Sequence, residues 1–165
     1  AIILLNFGAK VKGYALKPER NSLYNDINLS KKIKSIYGDI RNINNLKKEI
    51  NNFKPEIFFH LAAQPLVLDS YKDPYNTFDT NILGTLNVLE CIRNQKSIKS
   101  SIIVTTDKCY QNNEKKKTFK ETDSLGGKDP YSWSKVCAEY LTETSIRRSQ
   151  FSCFFKKDLY DEKIY

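Results

Sequence analysis

Two short apolar runs, Ile57-Phe58-Phe59-His60-Leu61-Ala62 and Ser101-Ile102-Ile103-Val104, flank a segment in which Phe78, Ile82, Leu86 and Leu89 recur at helical spacing. Near-continuous apolar runs of this length read as strands buried on both faces. A strand, a helix and a second strand in succession force a crossover, and the two strands then lie parallel. The same alternation runs through the whole chain. Val11 to Leu16 and Ile33 to Tyr37 read as strands. Ile43 to Asn52 reads as a helix, because Ile43, Leu46, Ile50 and Phe53 share one face. Pro130 opens a last helix that runs to about Arg148, and residues 1–7 read as a helix stopped by Gly8. Residues 18–32 are polar and turn-like. The pattern predicts an α/β fold: one doubly wound parallel sheet from strands near 11–16, 33–37, 56–62 and 101–106. Its expected core is Ile36, Phe58, Leu61, Ile82, Leu86, Leu89, Ile103 and Leu141.

Composition narrows the functional classes. The chain has 165 residues, 40% hydrophobic and 28% charged, which suits one globular domain. No apolar run reaches the roughly 18 residues that span a bilayer. Net charge is +8, but the lysines are scattered and the one tight run, residues 115–117, sits in a polar loop without aromatic residues. That argues against dedicated nucleic-acid binding. Cys91, Cys109, Cys137 and Cys153 form no Cys-x-x-Cys pair, and with one histidine no metal set is expected. Unpaired cysteines of this kind fit a reducing, cytoplasmic compartment. There is no methionine, so a piece of a longer chain is expected.

Chemistry concentrates in two motifs about 25 residues apart. Thr105-Thr106-Asp107-Lys108 closes the last apolar strand, and Tyr131-Ser132-Trp133-Ser134-Lys135 opens the last helix. Positions i and i+4 share a helix face, so Tyr131 and Lys135 can point into one site. A nearby ammonium is expected to draw the phenol down from about 10 toward neutrality. Such a tyrosine can exchange a proton with an alcohol. In a parallel sheet ligands bind at the strand carboxyl ends, where Asp39, Ala62-Ala63 and Thr105 to Asp107 all fall.

These motifs, with Gly38-Asp39-Ile40-Arg41, His60-Leu61-Ala62-Ala63-Gln64 and Asn81-Ile82-Leu83-Gly84-Thr85, resemble the extended short-chain dehydrogenase/reductase family in order and spacing. Within it the closer likeness is to the CDP-glucose 4,6-dehydratase branch, carried by His60 to Val67, Thr105 to Tyr110 and Leu125 to Ser132. The resemblance implies a partial Rossmann-like domain over residues 1–165, with NAD as cofactor and a nucleotide-sugar substrate. It also implies a homodimer in the complete enzyme, with no nucleic-acid or membrane partner. The family's first strand and Gly-x-x-Gly-x-x-Gly turn have no counterpart here, and neither does its substrate lobe, so the isolated piece is expected to be inactive.

The resemblance assigns Asp39 and Ile40 to the adenine, and Leu61, Ala62, Ala63, Gln64, Asn81 and Thr105 to the cofactor's course along the strand ends, joined by Tyr131 and Lys135. It assigns Tyr131 to the C4 hydroxyl proton, Thr106 to the C4 oxygen and Asp107 to general-acid work on the departing 6-hydroxyl, with a raised carboxyl pKa. Lys108 stands where related dehydratases carry a glutamate. It is either the C5 base or a stabiliser of the enolate. His60 reads as a satisfied core histidine. Epimerases and other dehydratases on the same scaffold remain alternatives, as does a non-catalytic polyanion-binding fragment. Asp107 favours dehydration, because epimerases need only the tyrosine and lysine.

Overall fold

The computed structural model describes residues 1–112 and 118–148; Cys153 and the lysine run at 115–117 lie outside them. Helix α1 (Ile2–Asn6) ends at Phe7, and Gly8 follows at φ +78°, a left-handed conformation that suits glycine. Strand β1 (Lys12–Ala15) leads to a polar connection holding a short helix α2 (Leu23–Asp26) and a 3₁₀ turn (Leu29–Lys31). The turn-like reading of 18–32 missed this local helicity. Strand β2 (Lys34–Tyr37) pairs in parallel with β1, Tyr14 opposite Ile36.

Helix α3 (Ile43–Phe53) forms where the periodicity put it. Asn42 caps it by accepting from the Asn45 amide at 3.0 Å, and Lys54, left-handed at φ +52°, ends it before Pro55. Its Leu46 and Ile50 are buried. Strand β3 (Ile57–His60) follows, then a short helix α4 (Val67–Lys72) that the periodicity did not reveal.

The long helix expected from Pro74 is broken in the middle. It comprises α5 (Pro74–Phe78), a five-residue π-turn (Asp79–Leu83) and α6 (Gly84–Arg93). Strand β4 (Ser100–Ile103) then pairs in parallel with β3, His60 opposite Ile103. Helix α7 (Pro130–Arg148) follows a loop whose only regular features among the described residues are a 3₁₀ turn (Asp107–Cys109) and a bridge between Tyr110 and Leu125.

All four strands are parallel to their partners, as predicted, but they do not form one continuous sheet. β1 bonds only to β2 and β3 only to β4. Among the described residues no strand lies between the two pairs. The main core gathers Ile40, Leu46, Ile50, Val88, Leu89, Ile92, Ile98 and Ile103 between α3, α6 and the strands. Leu89 and Ile103 are buried as expected, and Phe58 and Leu141 pack on this core. Leu61 and Leu86 are not core residues: they are 70% and 44% exposed. Leu61 lies past the last ladder residue of β3, where the chain has already left the strand. Ile36 and Ile82 are half-buried.

Candidate active site

Helix α7 carries Tyr131, Lys135 and Glu139 on one face, each buried at 9%, 7% and 6% exposure. Asp129 sets the start of that helix. Its carboxylate accepts from the Ser132 amide at 2.9 Å and from the Ser132 hydroxyl, with Pro130 in the first turn. The helix packs on the turn after β4, so the two sequence motifs meet. The Thr106 hydroxyl lies close enough to the Tyr131 phenol to act on its ionisation. Thr106 also donates to the Asp107 carboxylate at 3.2 Å and accepts from the Lys108 amide at 3.3 Å. The Lys135 ammonium donates to the Val104 carbonyl at 3.2 Å. Thr106, Tyr131 and Lys135 therefore converge at the carboxyl end of β4.

The electrostatics differ from the expectation in one respect. Burial pushes the Tyr131 phenol up from its ordinary value; the nearby Thr106 hydroxyl opposes this, and the Asp107 charge adds to it. The phenol is thus raised and not lowered as expected, and the Lys135 ammonium donates to the Val104 carbonyl. Burial lowers the pKa of Lys135 itself, partly offset by Glu139 and Cys109. Asp107 is exposed, so the burial expected to raise its carboxyl is not present here. Lys108 is exposed beside it.

At the end of β2, Tyr14 of β1 lies against Gly38: a Cβ there would sit 2.4 Å from the tyrosine ring. The Tyr14 hydroxyl donates to the Asp39 carbonyl at 3.0 Å and accepts from Asn45 at 3.3 Å, which fixes the turn after β2. The Asp39 carboxylate is held by Arg41 through Nη2 at 2.6 Å and Nε at 3.0 Å, and this pairing keeps it below the usual carboxylate range. Arg41 reaches on to Asn76 and Asp79, which ties this turn to the helix region. The Ile40 side chain is buried in the core and its carbonyl accepts from Asn87, so it does not present an apolar surface to an adenine.

Leu61 is exposed at the end of β3, and Ala62, Ala63 and Gln64 are half-buried beside it. Asn81, expected to touch a cofactor, is 1% exposed and fully engaged. It accepts from the Gln64 amide at 2.7 Å, donates to the Gln64 carbonyl at 3.0 Å and donates to Ser134 at 2.8 Å. It thus clamps the loop after β3 to α7. The π-turn carries Asn81, and such turns concentrate at functional sites. Thr105, also expected at the cofactor, donates its hydroxyl to Glu139 instead. His60 is the satisfied core histidine predicted: Nε2 lies 3.0 Å from the Thr85 hydroxyl. Burial, with Lys135 adding to it, lowers its pKa to about 4.

Sequence reasoning missed Arg41, Asp129, Ser134 and Glu139. Signals existed for two of them: Glu139 is an opposite charge four residues after Lys135, and Asp129 stands before Pro130 where a helix N-cap is expected. A surface recess of about 310 Å³, lined in part by Gln111, Leu125, Gly127 and Trp133, contains none of the converging side chains. Among the described residues no cluster could hold a metal ion, and no helix is long and apolar enough to cross a membrane.

A family model described as GDP-mannose 4,6 dehydratase matches residues 4–155. A CDP-glucose 4,6-dehydratase of Salmonella typhimurium is 45% identical over 150 residues, covering 90% of this chain and 42% of the relative. A CDP-paratose 2-epimerase of Salmonella typhi is 37% identical over 54% of this chain and 26% of its own length. This chain thus spans less than half the length of the curated relatives it matches. Among solved structures, the Thermus thermophilus UDP-glucose 4-epimerase in complex with NAD superposes with a TM-score of 0.82, at 24% identity, over 93% of this chain and 48% of that one. The dTDP-glucose 4,6-dehydratase DesIV of Streptomyces venezuelae superposes with a TM-score of 0.79, at 20% identity, over 93% of this chain and 49% of that one. These superpositions establish the Rossmann-like fold. The family-model match over nearly the whole chain, with the 45% identical relative, places this protein in the sugar-nucleotide dehydratase and epimerase family of extended short-chain dehydrogenases/reductases, to which it belongs.

Proposed function

We propose that these residues form the NAD-binding and catalytic portion of a nucleotide-sugar 4,6-dehydratase that converts CDP-glucose to CDP-4-keto-6-deoxyglucose. The observation that carries this reading is the approach of Tyr131 to Thr106 at the end of β4 with Asp107 beside it, in a chain 45% identical to a CDP-glucose 4,6-dehydratase. The residues present fit NAD at two places. Small Ala62 and Ala63 beside exposed Leu61 leave room along the strand end, and the Asp39 carboxylate stands at the end of β2 with its side chain 29% exposed. No Gly-x-x-Gly-x-x-Gly turn occurs in the 165 residues, so a pyrophosphate would be held by groups outside them. On this reading the chain is part of a longer enzyme, in line with its share of the relatives' length. The complete enzyme would be a cytoplasmic homodimer, on the strength of the family resemblance.

NAD, when bound, would accept hydride from the sugar and return it. Tyr131 takes the proton of the C4 hydroxyl only as a phenolate, a form that its burial in the free chain disfavours and that cationic groups gathered around it on ligand binding would have to favour, while Thr106 hydrogen-bonds the C4 oxygen. The 4-ketone so formed acidifies C5. Asp107 then protonates the leaving 6-hydroxyl, and Lys108 either removes the C5 proton or stabilises the enolate. Exposed Asp107 and Lys108 would have to be covered by substrate before they could do this work in a dry site.

The test is an assay of a full-length protein carrying these residues with CDP-glucose. The expected product is the 4-keto-6-deoxy sugar. Tyr131→Phe should abolish it, and Asp107→Asn should slow water loss by roughly 10²- to 10⁴-fold. Inversion at C4 with the 6-hydroxyl retained would replace this reading with an epimerase.

A further inference from the structure

Tyr131, Lys135 and Glu139 stand four apart on one face of α7, and each meets one of three successive positions at the end of β4. Lys135 donates to the Val104 carbonyl, the Glu139 carboxylate accepts from the Thr105 hydroxyl, and Tyr131 meets the Thr106 hydroxyl. The Glu139 oxygen that holds Thr105 also lies 3.9 Å from the Cys109 thiol. Glu139 is thus a buried carboxylate one helical turn from a buried ammonium. A charge buried alone is costly, and two opposite ones in low dielectric offset each other. Removing either leaves the other uncompensated.

We propose that Glu139 is the positioning residue of this site: its carboxylate anchors the strand end that presents Thr106, and its charge keeps Lys135 an ammonium beside Tyr131. This rests on the reading of Tyr131 and Lys135 as catalytic groups, but the carboxylate acts on them and not on substrate. The titratable groups facing Lys135 are Glu139 on its own helix, Cys109 on the turn after β4, and His60 across from it on β3.

The test is a titration of the Lys135 side-chain nitrogen by NMR in the ¹⁵N-lysine-labelled chain, without cofactor or substrate. Glu139→Gln is nearly isosteric and keeps an acceptor for Thr105, so a merely structural role would leave the Lys135 midpoint in place. The expected result is a midpoint lower than in the parent, with Glu139→Asp moving it back up. An unchanged midpoint in Glu139→Gln overturns the proposal. Should neither variant fold, the parent decides: the Glu139 carboxyl carbon should shift at the Lys135 midpoint, and a carboxyl carbon that stays constant through that midpoint overturns the proposal. Because the titration needs no turnover, its outcome is separate from whether the full-length protein dehydrates CDP-glucose.

Discussion

His60 and Asn81 are the residues at which burial decides most. His60 is neutral in the folded protein down to about pH 4 but takes a proton near pH 6.5 when unfolded. Between those values the unfolded chain binds more protons, so stability falls as pH falls through that window. The full effect is about 3 kcal/mol, the free-energy equivalent of moving the midpoint from 6.5 to about 4. Urea midpoints at pH 7 and pH 4.5 should therefore differ in the parent, and His60→Gln should shrink the difference. Asn81 satisfies both backbone groups of Gln64 and the Ser134 hydroxyl. Asn81→Ala leaves these groups without that partner and should cost on the order of 3 kcal/mol, measured by the same denaturation. The sequence marked both residues as unusual, a lone histidine on an apolar strand and an asparagine inside a helix. It could not say that Asn81 faces protein instead of ligand, because the direction of a side chain within a π-turn depends on what packs around it.

The contact between α6 and the turn after β2 shows how tightly the elements approach. Gly84 opens α6 directly beneath Ile40: a Cβ there would lie 2.5 Å from Ile40 Cδ1. Gly84→Ala must displace the Ile40 side chain, which is buried in the core and has little room to move, and should destabilise by about 1–3 kcal/mol. Shortening the opposing side chain should relieve it, so the loss in Gly84→Ala with Ile40→Ala should fall below the sum of the two single losses. A double-mutant cycle by thermal unfolding measures this. The periodicity found α3 and α6 because their buried faces repeat, Pro130 marked the start of α7, and α4 and the π-turn were missed. Of α4 only Ser70 is buried, so it has no apolar stripe to read. The π-turn adds a residue to the helical repeat without any marker in composition.

Across the whole molecule, order is unequal. The β3–β4 pair has His60, Ser101 and Ile103 buried, whereas β1 and β2 have no buried residue and α1 has none either. Local opening tracks buried contacts, so amide exchange should be slowest in β4 and α6, faster in β1 and β2, and fastest in α1. Hydrogen exchange followed by mass spectrometry reads this ranking. Equal protection of α1 and β4 would mean that α1 has packing partners beyond those described. The ranking also explains why the expected single sheet was only half right. The alternation of strands and helices specifies parallel pairing, but not which strands are neighbours.

Parallel strands, helix faces and the meeting of Thr106 with Tyr131 were legible in the sequence alone. They depend on local periodicity and on right-handed crossovers, both properties of L-residues in short segments. The tertiary structure alone decided the rest: the split of the strands into two pairs, the diversion of Asn81 and Thr105 from a ligand to protein partners, and the upward shift of the Tyr131 phenol. These depend on distances between segments far apart in sequence and on the water excluded when they pack. Lys135 illustrates the limit. Its spacing from Tyr131 is written in the chain, but the partner of its ammonium is the Val104 carbonyl, a backbone group that no motif encodes.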